Sequence, residues 1–188
     1  EEQNILRGTV EGICKNFSNL KTLREIEGTK SGYSDDFWNQ LIALGLTGIA
    51  IPEKYGGSNM GLLDIAIVFE EFGKSLALSP LFISSIMSAS LVNSMGTPSQ
   101  KEKILPDIAS GKSIYTIGLL ERGSSFAKSG VNIEIVNKSN SLILNGCKQM
   151  VPYASMAQKI IVICKYKNSI AAAIVSMNQT GVNHTYQS

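Results

Sequence analysis

Histidine is almost missing from this chain: His184 is the one histidine in 188 residues. A lone histidine leaves no histidine-based metal cluster and no local serine–histidine arrangement. Cysteine is scarce too, at three residues. Cys14, Cys147 and Cys164 are odd in number, widely spaced and outside any C-x-x-C, which fits a reduced setting with the thiols acting as small hydrophobes. Charge of one sign is lacking. The net charge is +2 and the lysines and arginines are scattered, so no basic footprint for nucleic acid or an anionic membrane is present. No apolar run reaches 18 residues, so no membrane-spanning helix is expected. These absences give a cytoplasmic expectation. The chain starts at Glu1 rather than a methionine, which is equally compatible with a removed organelle-targeting peptide.

What is present is globular: 44% hydrophobic and 17% charged residues, enough apolar surface for a sizeable core. Residues 1–112 read as helices. Ile5, Val10, Ile13 and Phe17 recur at roughly helical spacing. Ser34 before Asp35-Asp36 reads as an N-cap with acidic residues in the first turn. Phe37, Leu41 and Leu44 then share a face, with Gly45 as the stop. Leu63, Ala66, Ile67, Phe69 and Phe72 form an apolar stripe over 62–76, with Glu70 and Glu71 mostly outside it. Neighbours on a helix do not face each other, so these glutamates read as a solvated or salt-bridged face rather than an acid/base pair. Ser79-Pro80 opens another helix running through Leu91 to near Gly96. Thr97-Pro98-Ser99-Gln100 opens one more, and Gly111 ends it.

After Lys112 the period changes. Strand-like runs occupy 113–120, 131–136, 141–144, 159–166 and 170–177, joined by turn residues, with a last short run from Val182 to Tyr186. Helices first and strands second predict an α+β protein: an N-terminal all-helical domain over 1–112 and an antiparallel β-domain, a partial barrel, over 113–188. The loop Pro52–Gly57 reads as structural, its glycines supplying positive φ.

Four stretches stand in a recognisable order: LGLTGIAIPEKYGG at 44–57, FEEFG at 69–73, GTPSQKEKILPDIASG at 96–111 and NGCK at 145–148. Together they resemble the acyl-CoA dehydrogenase family, over almost all of the chain from about Asp35 to Gly181. The resemblance implies an N-terminal helical domain, a middle β-domain and a C-terminal four-helix bundle, the last absent from this chain. It implies oxidation of the α–β bond of an acyl-CoA, with FAD as cofactor and a carboxylate base in the C-terminal domain. No catalytic residue is therefore expected here. It further implies lipid metabolism, an acyl-CoA substrate, and a homo- or hetero-oligomer with another acyl-CoA dehydrogenase subunit.

The resemblance assigns cofactor contacts to Ile117, Leu119, Leu120, Met150, Val151 and Pro152, and a substrate contact to Phe126. The residue types depart from the family at these positions. Leu120 stands where the family has a threonine, Arg122 where it has proline, and Phe126 where it has a substrate-holding serine. Met150-Val151-Pro152 replaces Trp-Ile-Thr, so a thioether stands for an aromatic platform and a proline for a hydroxyl donor. Backbone N–H groups remain at Leu120 and Val151, and Met150 suits an apolar ring face. Two lost hydroxyl bonds would cost about 1 kcal/mol each, which weakens FAD binding without forbidding it. Glu121 is kept and reads as a loop-positioning residue. Arg122 reads as a solvated loop charge. A divergent subgroup of the family also reads Val-Pro-x-Ala after the lysine, and some of its members work as unlike pairs. Three readings follow: a dehydrogenase seen in part, a non-catalytic subunit paired with an active partner, and a flavin-free α+β binding module.

Overall fold

The computed structural model describes residues 1–139 and 141–186. The chain divides into two compact units, Glu1–Ile114 and Tyr115–Ser188.

The first unit is helical: α1 (Glu2–Phe17), α2 (Leu20–Glu27), α3 (Asp35–Ala43), α4 (Leu62–Ser75), α5 (Ala89–Met95) and α6 (Pro98–Ala109). Caps set several starts. Ser34 Oγ accepts the Phe37 N–H at 3.3 Å at the head of α3. At α6, Thr97 Oγ1 accepts the Gln100 N–H at 3.3 Å and Gln100 Oε1 accepts the Thr97 N–H at 2.8 Å, a reciprocal capping box with Pro98 in the first turn. Each such cap is worth about 1 kcal/mol. The core is built from Val10 and Cys14 of α1, Phe37 and Leu41 of α3, Val68 and Phe72 of α4, and Leu105 and Ile108 of α6, all buried.

Three details differ from the sequence reading. Helix α2 is an unanticipated element, started by Asn19, whose Oδ1 accepts the Lys21 and Thr22 N–H groups at 3.1 Å each. The segment Phe82–Ser88 before α5 is a π-helix. The inner face of α4 is also rotated. Leu63 and Ala66 are exposed and Phe69 half-buried, while Ile67, Val68 and Phe72 are buried. Glu71 lies on that inner face at 3% exposure. It is tolerated there because Arg7 Nη1 at 2.5 Å and Lys74 Nζ at 2.8 Å both meet its Oε1. Glu70 stays exposed and pairs with the same two cations at 2.8 and 2.9 Å. The glutamates form a salt-bridged face, half of it turned inward.

The Pro52–Gly57 loop is structural. Gly56 has φ +83°, and a Cβ on Gly57 would lie 2.0 Å from the Ile51 carbonyl oxygen. Only glycine allows that approach.

The second unit holds β1 (Tyr115–Gly118), β2 (Ile135–Lys138), β3 (Ser141–Leu144), β4 (Lys159–Tyr166) and β5 (Ser169–Ser176). One sheet has the order β1-β4-β5, and β2 and β3 form a hairpin. The Lys165 N–H donates to the Ile133 carbonyl at 2.8 Å and so joins the hairpin's approach to β4. The sheet is mixed rather than wholly antiparallel. β4 and β5 are antiparallel across the turn Lys167-Asn168, both at positive φ. β1 runs parallel to β4 in the register Tyr115↔Lys159 to Gly118↔Val162. Parallel pairing needs a crossover of about a dozen residues or more, and the chain between Gly118 and Lys159 supplies it. The expected run Val182–Tyr186 forms no strand. Ile160, Val162 and Cys164 of β4 are the buried centre, with Ile133, Ile135, Leu144 and Val151 packed on them.

Candidate functional site

β1 ends at Gly118, and the chain enters the loop Leu119–Gly130. Glu121 folds its first turn. The Glu121 N–H donates to Ser124 Oγ at 2.8 Å, and that hydroxyl donates back to the Glu121 carbonyl at 2.7 Å. The Glu121 side chain points elsewhere. Its oxygens accept the Asn132 N–H at 3.0 and 3.1 Å, the Ile133 N–H at 3.1 Å and Lys148 Nζ at 2.7 Å. Lys148 Nζ also donates to the Leu119 carbonyl at 3.0 Å. This ion pair is almost sealed from water, with side-chain exposures of 9% for Glu121 and 5% for Lys148. Burial pushes the Glu121 carboxyl up. The bonds from Lys148, Ile133 and Asn132 outweigh it and hold the group below its ordinary value. Glu121 is thus fully engaged, a positioning group rather than a free base.

The residues after Lys148 lie along this loop. The Gln149 N–H donates to the Leu120 carbonyl at 2.8 Å, forming an isolated antiparallel bridge. Met150 turns at φ +53° and Tyr153 at φ +51°. Thr116 on β1 is fully buried, and its Oγ1 donates to the Pro152 carbonyl at 2.6 Å. Segments 119–121 and 148–152 are therefore held side by side, 27 residues apart in sequence between Glu121 and Lys148.

The residues singled out from the sequence fall into two groups. Leu119, Leu120, Met150, Val151 and Pro152 are brought together on these segments. Ile117 is buried in β1, Leu119, Leu120 and Val151 are half-buried, and Pro152 and Met150 are exposed, Met150 at 69%. Val151 packs its side chain on the Ile160–Cys164 cluster. Its N–H finds no acceptor among the described residues. Phe126 stands apart on the loop at 75% exposure, and Arg122 is exposed as expected. Cys14 and Cys164 are buried, whereas Cys147, beside the ion pair, is exposed. The sequence reading missed Lys148, Thr116 and Gln149 as organisers. Lys148 had a signal, as the last residue of the NGCK motif. Thr116 and Gln149 had none.

The arrangement offers a backbone donor beside apolar, partly open side chains, which suits a flat heteroaromatic group better than a charged one. The family described as acyl-CoA dehydrogenase, N-terminal domain, matches residues 1–112. The mitochondrial isovaleryl-CoA dehydrogenase of Pongo abelii is 32% identical over 168 residues, covering 88% of this chain and 40% of that protein. An acyl-CoA dehydrogenase complexed with FAD from Bacillus anthracis has a TM-score of 0.86 at 26% identity, covering 100% of this chain and 33% of that one. A variant of the Tcur3481-Tcur3483 steroid ACAD also has a TM-score of 0.86 at 26% identity, covering 96% of this chain and 49% of that one. The chain spans about two fifths of the length of the curated relatives it matches. The chain belongs to the acyl-CoA dehydrogenase family.

Proposed function

We propose that this chain is the helical and middle part of an acyl-CoA dehydrogenase-like flavoprotein that oxidises the α–β bond of an acyl-CoA thioester using FAD. One observation carries the reading. The two segments that the resemblance assigns to the flavin are hydrogen-bonded side by side, and on the second of them the Val151 N–H makes no hydrogen bond among the described residues. A flavin ring has a polar edge that needs donors and a face that suits apolar cover. The Val151 N–H fits the first need and Met150 the second. Leu119 and Leu120 add apolar lining. When bound, FAD supplies the hydride acceptor for the oxidation. The residues present bind and orient it, and exclude water from one side. Phe126, exposed on the adjoining loop, is the proposed contact to substrate. Glu121 is committed to Lys148 and two backbone N–H groups, so it is not free to act as base. We expect the 188-residue chain alone to turn over no acyl-CoA, and detectable turnover would refute this.

A second reading has its own observation. Leu120 and Pro152 offer no hydroxyl where the family's flavin site has them, which favours a subunit that keeps the scaffold and pairs with an active acyl-CoA dehydrogenase partner. The absorption spectrum of the full-length protein, with and without added FAD, separates the two. Flavin bands that survive desalting support the flavoprotein. A protein that stays colourless after FAD addition and desalting sinks that reading and moves the search to a flavin-bearing partner.

A further inference from the structure

Lys148 does more than neutralise Glu121. Its stem crosses β1: a Cβ placed on Gly118 would lie 3.0 Å from Lys148 Cγ and 3.2 Å from Lys148 Cβ. Its ammonium then reaches both the Leu119 carbonyl and the Glu121 carboxylate. Glu121 in turn holds the backbone of Asn132 and Ile133, the chain that leads into β2. Two further latches lie just beyond Lys148: Gln149 N–H to the Leu120 carbonyl, and the buried Thr116 hydroxyl to the Pro152 carbonyl. Between these latches Met150 is held at positive φ, a conformation a methionine seldom adopts unless its surroundings fix it.

We infer that Glu121, Lys148 and Thr116 are positioning residues that form a clamp. The clamp locks segments 119–121 and 148–152 into one edge before any ligand arrives, with Met150 exposed on it. In this protein the clamp stands in for the side-chain donors that Leu120 and Pro152 no longer provide, because a pre-set backbone edge loses less freedom on binding. What the clamp serves rests on the flavin reading; that it exists does not.

The test uses the full-length protein and two readouts. The first is amide hydrogen exchange at Gln149, Asn132 and Ile133 without FAD. The second is FAD affinity and the sharpness of the visible flavin bands. Lys148→Met keeps the stem over Gly118 and removes the donors. It should speed exchange at all three amides at least tenfold, weaken FAD at least tenfold and blur the bands. Lys148→Arg should recover much of both effects, which a purely packing role would not predict. Exchange within twofold of the parent in Lys148→Met overturns the clamp. If Lys148→Met does not fold, Thr116→Val decides. It preserves the buried shape and removes only the hydroxyl, so faster exchange at Gln149, whose N–H is bonded to the Leu120 carbonyl, supports the clamp and unchanged exchange overturns it. If the parent binds no FAD, the flavin reading fails while the exchange data still judge the clamp.

Discussion

The cofactor reading makes a quantitative claim about two substitutions. Leu120→Thr and Pro152→Thr together restore the hydroxyls that the family places on these segments. The backbone at both positions is already committed: the Leu120 carbonyl accepts Gln149 N–H at 2.8 Å and the Pro152 carbonyl accepts the Thr116 hydroxyl at 2.6 Å. The change therefore acts through the new side chains and, at 152, a regained N–H. Each new hydrogen bond to a flavin atom is worth about 1 kcal/mol. Two give ~2 kcal/mol, or roughly a 30-fold lower Kd. Replacing half-buried Leu120 also removes apolar lining, so about 30-fold is the upper bound of the gain, and the apo protein loses stability on the order of 1 kcal/mol. The two effects separate experimentally. Fluorescence quenching of FAD on the apo full-length protein gives Kd, and apo melting gives stability. Single and double variants together show whether the two neighbouring sites add or couple. A double variant that folds like the parent and binds FAD within twofold of it would refute the assignment of these segments to the flavin.

Other consequences are more local. Leu105 is fully buried in α6, so Leu105→Ala should destabilise the helical unit by about 2–5 kcal/mol in urea denaturation, and a loss below about 1 kcal/mol would contradict the core described for it. Gly57→Ala forces a Cβ against the Ile51 and Gly48 carbonyl oxygens, at 2.0 and 2.6 Å, and should cost about 2 kcal/mol or more, read as a lower melting temperature. The pairs among Arg7, Lys74, Glu70 and Glu71 predict a pH window. Hydrogen bonds from Arg7 and Lys74 lower the Glu70 carboxyl from 4.5 to about 2, and Glu71 is also lowered. A depressed carboxylate stabilises the fold fully above its ordinary value and progressively less as pH falls toward its folded value. The melting gap between the parent and Arg7→Met should therefore be present at pH 6 and shrink between pH 4.5 and 2, and a gap that holds or widens there would show the carboxylates do not carry it.

The helical half of the fold was legible where local chemistry decides. Ser34 and Thr97-Pro98 marked the starts of α3 and α6 because a cap is a contact within four residues. The facing of α4 was not legible, for a specific reason. Leu62, Leu63, Ile65, Ala66, Ile67, Val68, Phe69 and Phe72 put apolar residues around most of the helix, so periodicity leaves the phase open. A cation 64 residues away settles it. Arg7 makes burial of Glu71 affordable, and that fixes which side faces inward. α2 escaped notice because LKTLREIE is short and mainly polar. The parallel pairing of β1 and β4 escaped because short strands separated by turns look like hairpins, and only β2–β3 and β4–β5 have the short connections that hairpins need.

The candidate site divides along the same line. The family resemblance at 119–121 and 150–152 marked these segments as the expected flavin contacts and showed which residue types depart from the family there. It did not show what holds them together. Glu121 read as a loop-positioning residue and Lys148 only as the last residue of NGCK, and neither reading gave their burial, since a single loop charge is ordinarily solvated. Their burial follows from their meeting, which brings a charge pair and two backbone N–H groups into a space neither residue would enter alone. A motif that keeps Glu121 and Lys148 while changing Leu120, Arg122, Met150 and Pro152 has kept the frame and altered the face. Side-chain donors on a binding face can be exchanged one at a time, at about 1 kcal/mol each. Half of a buried ion pair cannot be removed so cheaply, since the remaining charge is left unpaired in a dry site at about 3–5 kcal/mol. On the family resemblance, what is kept and what is changed here follow that difference in cost: the buried Glu121–Lys148 pair stays, while Leu120, Arg122, Met150 and Pro152 depart.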